Sequence, residues 1–317
     1  MKKLRIAVIG VGYLGKFHAE KYKMLPDVEL VFVVDVNLER AKEVAEQLGV
    51  TYFTQYADLI GKVDAVSIAV PTQLHFSVAE CLLSHGIHVL VEKPMTVMAQ
   101  EAQILVDIAN EHHVVLQVGH LERFNAVIQA ISPLLKDPVF IESHRIAPFN
   151  LRGSDVCVIL DLMIHDIDLI QNMVNSPIAR IDANGASVLS DSPDIANVRI
   201  NFENGCVANV TASRISMKTE RKMRIFQHDA YFSLDLHNRK ATICRKGEGE
   251  HPLLPGMPNI DIQEQDFEKN DALLEEIKAF IFSILNRKSP IVSGVEGKRS
   301  LETAIKISNM IQASQKA

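Results

Sequence analysis

Along the first third of the chain, short and almost unbroken apolar runs alternate with longer stretches in which apolar residues recur every third or fourth position. The runs Leu4 to Ile9, Val28 to Val34, Val63 to Ala69, Ile87 to Val91 and Val114 to Val118 have the continuous hydrophobicity of strands covered on both faces. Between them, Ala41 to Leu48, Ser77 to Ser84 and Ala99 to Glu111 carry the spacing of amphipathic helices. Strands that alternate with helices connect by crossovers, so the pattern predicts an α/β domain built on a doubly wound parallel sheet. After Gly119 the rhythm changes to a helical stretch, several strands joined by turn signals such as Glu203-Asn204-Gly205, and two helices near the C-terminus. That order predicts an α+β domain with a mostly antiparallel open sheet and helices on one face. The expected division is a nucleotide-binding domain over 1–119 and a substrate-binding and oligomerisation domain over 120–317, with the last helix free to pack back across the boundary.

Composition narrows the function classes. A chain of 317 residues suits two domains, each large enough to bury its own core. Hydrophobic residues at 47% and charged residues at 23% are ordinary for a globular protein. The net charge of -6 is spread along the chain without a basic block, which argues against a nucleic-acid partner. Met1-Lys2-Lys3-Leu4-Arg5 runs straight into the first strand without a secretory leader pattern, and no stretch approaches the ~20 apolar residues that span a bilayer. A cytoplasmic protein with no membrane partner is expected. Cys81, Cys157, Cys206 and Cys244 lie far apart with no CxxC pair, as suits reduced structural thiols.

Gly10-Val11-Gly12-Tyr13-Leu14-Gly15 follows a predicted strand and opens a predicted helix, which is the setting of a Rossmann dinucleotide fingerprint. Gly10 would permit the tight turn, Gly12 the approach of backbone to a pyrophosphate, and Gly15 close packing of helix on strand. Tyr13 and Leu14 would then lie at the helix N-terminus, where unpaired N–H groups face the diphosphate. Asp35 ends the next strand and is placed to accept hydrogen bonds from the adenosine ribose, so NAD is favoured and NADP, with its 2′-phosphate, is less suited. Arg40 is the nearest cation. The alternative for Asp35 is a solvated strand-end acid or a cap for the helix beginning near Leu38.

Further on come Val70-Pro71-Thr72-Gln73-Leu74-His75, Val91-Glu92-Lys93-Pro94, Gly119-His120-Leu121-Glu122-Arg123-Phe124-Asn125 and Asp161-Leu162-Met163-Ile164-His165-Asp166-Ile167-Asp168. In this order and spacing the chain resembles the glucose-fructose oxidoreductase/inositol dehydrogenase (Gfo/Idh/MocA) family, including Glu275 to Phe282 and Val295 to Ile311 near its end. The resemblance implies a sugar or cyclitol dehydrogenase with Lys93, Asp161 and His165 lining the substrate pocket and His165 as acid/base. Pro71, Thr72, His75, Glu92 and Lys93 would border the cofactor, and Lys93-Pro94 becomes a candidate cis peptide.

The residues themselves suit these roles. Lys93 lies past a strand end at the carboxyl edge of a parallel sheet, where it can donate to a substrate oxygen that gains negative charge. Asp161 and His165 stand four apart, on one face of a helix, so that an imidazole can take a hydroxyl proton while a carboxylate orients the ring or a neighbouring hydroxyl. A satisfied core histidine is the plain alternative for His165, and EKP alone is only a helix-start signal. The acids around His165 could supply hard metal ligands, but hydride transfer to NAD needs no metal and none is expected. His112-His113 reads as a helix end, His120 as a candidate substrate contact, and His75 as either a cofactor contact or a helix cap.

Gly119 to Asn125, Val156 to Asp168 and Ala212 to Gln227 are similar to a bacterial subgroup that oxidises the 3-hydroxyl of UDP-N-acetylglucosamine toward lipid A, departing from it at Ala126, where proline is usual. The resemblance places His120, Arg123, Asn125 and Arg214 beside Lys93, Asp161 and His165 at the substrate. Arg145, Arg152, Arg214, Arg221, Lys222 and Arg224 are candidates for the diphosphate of a nucleotide sugar, each of them equally readable as a solvated strand-face charge. Two alternatives remain: a dehydrogenase of a free cyclitol or monosaccharide, and a catalytically silent NAD-binding sensor. The open sheet of the second domain offers a face for a homo-oligomer, a dimer or tetramer as in relatives.

Overall fold

The computed structural model describes residues 3–149, 156–250 and 258–315. The alternating runs of the first third become β1 (Leu4–Ile9), α1 (Tyr13–Met24), β2 (Val28–Val34), α2 (Leu38–Leu48), β3 (Thr51–Phe53), β4 (Ala65–Ile68), α3 (His75–Ser84), β5 (His88–Glu92), α4 (Ala99–Glu111) and β6 (Leu116–Gly119). All neighbouring strands are parallel, in the order β3-β2-β1-β4-β5-β6, so strand order reverses on either side of β1. That reversal opens a crevice at the carboxyl ends of the strands, which is where doubly wound sheets bind ligands. Ile6 and Val8 are fully buried and share a core with Ala19 and Tyr22 of α1. The apolar pattern does not single out β3, a three-residue strand with a polar start.

The remaining elements are α5 (Ala126–Ile131), β7 (Phe140–Ile146), a π-helical turn (Ile159–Met163), α6 (Ile164–Val174), β8 (Ile178–Ala186), β9 (Ile195–Phe202), β10 (Val207–Ser213), β11 (Glu220–Gln227), β12 (Ala230–Asp235), β13 (Lys240–Glu250), β14 (Pro258–Asp266), α7 (Ala272–Asn286) and α8 (Gly294–Gln315). Eight strands form the second sheet in the order β14-β13-β12-β11-β7-β10-β9-β8, antiparallel at every pairing except β7 with β10. Its strands alternate: Val198 and Ile200 of β9 are buried with Ile164, Ile167 and Ile170 of α6, while Asn197 and Arg199 face outward. One face is therefore a core and the other a polar open surface.

The chain folds into two compact units, one of Met1–Leu121 with Asp271–Leu301 and one of Glu122–Asn270 with Glu302–Ala317. The first crossing, after Leu121, lies close to the boundary expected at residue 119. The continuous second domain expected from sequence differs from this grouping, because α7 and the start of α8 join the six-stranded unit. The cause lies in α7, whose Ile277, Phe280 and Ile281 are buried in the same core as β1. No described helix is long and apolar enough to cross a membrane. All four cysteines are free, and burial pushes the Cys206 thiol up to about 11.

Candidate functional site

The turn after β1 is shaped by what two glycines exclude. Gly10 has φ +81, and a Cβ there would lie 2.7 Å from the Ala69 carbonyl oxygen; a Cβ on Gly15 would lie 1.8 Å from the Gly10 carbonyl oxygen. Side chains at either position would break the turn or push α1 from the sheet. Gly12 differs, since a Cβ there would meet nothing within 4 Å. Gly12 is also the N-cap of α1, with no side chain capping the helix and no acid in its first turn. Backbone N–H groups and the positive helix end are thus left for an anion, as a dinucleotide diphosphate requires.

Beside this turn is a cavity of about 390 Å³ lined by Gly10, Gly12, Asp35, Val36, Pro71 and Leu74 among others. Its largely apolar wall with a carboxylate at one end fits an adenosine. Asp35 accepts hydrogen bonds from the backbone N–H groups of Val11 at 3.0 Å and Asn37 at 2.9 Å, which fixes the carboxylate and leaves lone pairs for ribose hydroxyls. The cap of α2 is Asn37, which accepts from the Arg40 N–H at 3.1 Å. Arg40 donates from Nε to the Val11 carbonyl at 2.8 Å and pairs with Glu43 at 2.8 Å, so it buttresses the glycine turn.

Of the other expected cofactor residues, Tyr13 and Leu14 are exposed at the start of α1, and Pro71 and Thr72 begin the short turn before α3. His75 is buried, with Nδ1 2.9 Å from the Pro94 carbonyl and Nε2 2.9 Å from the Val70 carbonyl. It ties together two loops at the sheet edge, and burial holds its pKa below the usual histidine value. Glu92 ends β5 with Oε1 2.9 Å from His18 Nε2. Lys93 follows, half-buried, and the Lys93–Pro94 bond is cis. His120, just past β6, is buried at 1% exposure.

In the eight-stranded unit, Asp161 sits in the π-helical turn and His165 is the second residue of α6; both are half-buried. The plain α-helical spacing expected for this pair is therefore replaced by a wider turn running into an α-helix, a local change common at functional positions. The neighbouring acids have other duties. Asp166 accepts from Arg145 Nε at 2.6 Å and Ser143 Oγ at 3.0 Å, and Asp168 binds Arg123 through two hydrogen bonds of 2.5 and 2.9 Å. These pairs anchor α6, the helix that carries His165.

The residues expected at the substrate thus separate into two groups. Arg123 is buried on Asp168, and Asn125 caps α5 by accepting from Val127 N–H at 3.0 Å. Arg214 is buried against Asp194 at 2.8 Å, with further bonds to Ser190, Ser192 and the Val156 carbonyl. Burial pushes the Asp194 carboxyl up, but the N–H groups of Leu189 and Val188 with Arg214 and Ser190 outweigh it and hold it well below the usual carboxylate range. Arg145 is likewise enclosed by Asp166 and Glu122. Internal carboxylates therefore take the guanidinium groups of Arg123, Arg145 and Arg214 that sequence offered to a substrate. Arg221, Lys222 and Arg224 keep about half their side-chain surface exposed while pairing with Glu122, Glu220 and Glu142. Arg152 lies outside the described residues.

His18 and Glu276 are not among the residues that the motifs single out. With Glu92 they form a group whose donor atoms lie within 4.8 Å of one another, the one such His/carboxylate trio among the described residues. The available signal was periodicity: Glu276 occupies the apolar stripe of α7 between Leu273 and Phe280, and His18 lies on the buried side of α1.

Comparison with known proteins agrees with the fold. Residues 4–120 match the family described as "Oxidoreductase family, NAD-binding Rossmann fold", and residues 147–232 match the GFO/IDH/MocA C-terminal domain. The chain is 39% identical over 314 residues, 99% of each chain, to UDP-N-acetylglucosamine 3-dehydrogenase of Acidithiobacillus ferrooxidans. A solved structure of that enzyme superposes with a TM-score of 0.92 over 99% of both chains. Myo-inositol 2-dehydrogenase of Thermotoga maritima is 26% identical, covering 94% of this chain and 93% of that one.

Proposed function

The chain belongs to the Gfo/Idh/MocA family of NAD-dependent oxidoreductases, and from that premise we propose that it oxidises the 3-hydroxyl of UDP-N-acetylglucosamine to a ketone. The observation that carries the substrate is 39% identity over 99% of both chains to a relative of that name, against 26% for the myo-inositol enzyme.

NAD, held by Gly10, Gly12, Gly15 and Asp35, supplies the hydride acceptor. The chain's own side chains handle the proton and the charge. His165 takes the hydroxyl proton on a ring nitrogen, and Lys93 donates from its ammonium group to the same oxygen, favouring the alkoxide character that releases hydride. Asp161 orients the reacting hydroxyl or the imidazole. Glu92 and His75 set the edge of the cofactor site, and His120 borders the substrate. The half-exposed cations Arg221, Lys222 and Arg224 are better suited to a diphosphate than the buried Arg145 and Arg214. The ketosugar would feed amino-sugar synthesis for lipid A in the cytoplasm, and the open face of the eight-stranded sheet would mediate a homo-oligomer.

The test is NADH formation with UDP-N-acetylglucosamine, myo-inositol and glucose compared under one set of conditions. UDP-N-acetylglucosamine should give by far the highest kcat/KM. A preference for either free polyol would reassign the substrate, and NADH binding without turnover of any ketosugar would make the protein a sensor.

A further inference from the structure

Glu276 is fully buried on α7, and neither of its carboxyl oxygens meets an N–H or O–H donor. Its surroundings are polar all the same. From α1 it faces His18 and Tyr22, from β5 Glu92, and from β6 Gln117, whose Nε2 donates to the Glu276 backbone carbonyl at 3.1 Å. His18 Nε2 donates to Glu92 Oε1 at 2.9 Å, and Tyr22 Oη is already bound to Ser67 Oγ at 2.7 Å. Gln117 Oε1 is, like Glu276, without a donor. The charged residues on either side of Glu276 along α7, Glu275 and Lys278, pair with each other at 2.7 Å on the exposed side.

A buried carboxylate that meets no donor among the described residues is a costly arrangement, and a second carboxylate within 4.8 Å makes it worse. The arrangement becomes favourable if Glu276 holds a proton. The carboxylic acid is then a neutral donor surrounded by acceptors, of which Glu92 is the charged one. Burial first, and the Glu92 charge second, push Glu276 well above the usual carboxylate range.

We propose that Glu276 is a positioning residue: as a buried carboxylic acid it donates toward Glu92, so that Glu92 is held from two sides, by His18 and Glu276, in the orientation from which it and the adjoining Lys93 border the cofactor. The proposal rests on the cofactor role given above to Glu92 and Lys93. It adds a proton-dependent link from α7, at the far end of the sequence, to the sheet edge where the chemistry is placed. When Glu276 ionises, the donor becomes a second negative charge beside Glu92, and the link reverses from holding Glu92 to repelling it.

The experiment compares wild type, Glu276→Gln and Glu276→Leu by fluorescence titration with NADH and by thermal melting from about pH 5 to 9, readouts that need no substrate. The amide variant keeps a neutral donor, and the leucine variant keeps the apolar packing without one. Glu276→Gln should bind NADH within about threefold of wild type, and Glu276→Leu about tenfold more weakly while melting cooperatively. Wild-type affinity should fall at alkaline pH where that of Glu276→Gln stays level. Wild-type stability relative to Glu276→Gln should be greatest at the acid end of this range and decline as pH rises toward the raised native value. Equal NADH binding by the two variants overturns the proposal, as does loss of binding in both. If all three bind as expected but wild type leaves UDP-N-acetylglucosamine unoxidised, the substrate reading fails and the role of Glu276 stands.

Discussion

In the eight-stranded unit, the buried acids Asp166, Asp168 and Asp194 each lie against a guanidinium, of Arg145, Arg123 and Arg214, and Glu122 lies against Arg145 and Arg221. In the six-stranded unit, the buried Glu276 has an imidazole and a second carboxyl for neighbours and no hydrogen-bond donor among the described residues. The first arrangement uses opposite charge to pin helices and strands in one geometry. The second leaves a group whose protonation state is set by its surroundings and changes with pH. Buried charge in one protein can thus be scaffold in one unit and a responsive element in the other, and the partners decide which.

Asp166→Ala tests this contrast most severely, because it leaves Arg145 buried with one of its two acids gone. The loss should be about 3 kcal/mol or more, read as a lower denaturant midpoint. A loss under about 1 kcal/mol would show that the pairs are not the anchors of α6. Next in size, Lys93→Met and His165→Asn should each reduce turnover by ~100-fold while the protein still melts cooperatively. Turnover within about twofold of wild type in both would remove the proposed chemistry.

pH separates the two kinds of buried acid by the sign of the slope. Asp194 is held well below the usual range, so its contribution is present above pH ~4 and lost as pH falls further. Glu276 is held above it, so its contribution is present below pH ~4.5 and lost as pH rises. Asp194→Asn should therefore flatten the acid side of the stability curve and Glu276→Gln the neutral-to-alkaline side, in melts across pH. Smallest in stability is Gly12→Ala: with nothing near the added Cβ, melting should barely change, while NADH affinity falls about tenfold. The contrasting Gly15→Ala, whose Cβ would lie 1.8 Å from a carbonyl oxygen, should destabilise the unit itself.

Much of the fold was legible because it is written in short spans. The glycine turn, the parallel strand rhythm and Asp35 at a strand end each depend on residues within one βαβ stretch. Strand boundaries shifted slightly, as with β6 at Leu116–Gly119, because strand ends are set by pairing with a neighbour rather than by hydrophobicity. The partners of the arginines were not legible in this way. Arg145 and Arg214 looked available to a phosphate, and Arg123 to a substrate, because sequence shows a cation without showing the acid that faces it, here 21, 20 and 45 positions away.

The fold class, the dinucleotide fingerprint with its preference for NAD, and the family whose motifs carry Lys93, Asp161 and His165 could all be read from the amino-acid order alone. These follow from local geometry and from patterns along the chain. Three-dimensional packing settled which charges are internal, where Asp161 turns within a π-helical segment, and that His18, Glu92 and Glu276 converge in one buried place. Burial and partner identity are properties of elements brought together from distant parts of the chain, and an ionisable group acquires its protonation state and its role only after that packing is complete.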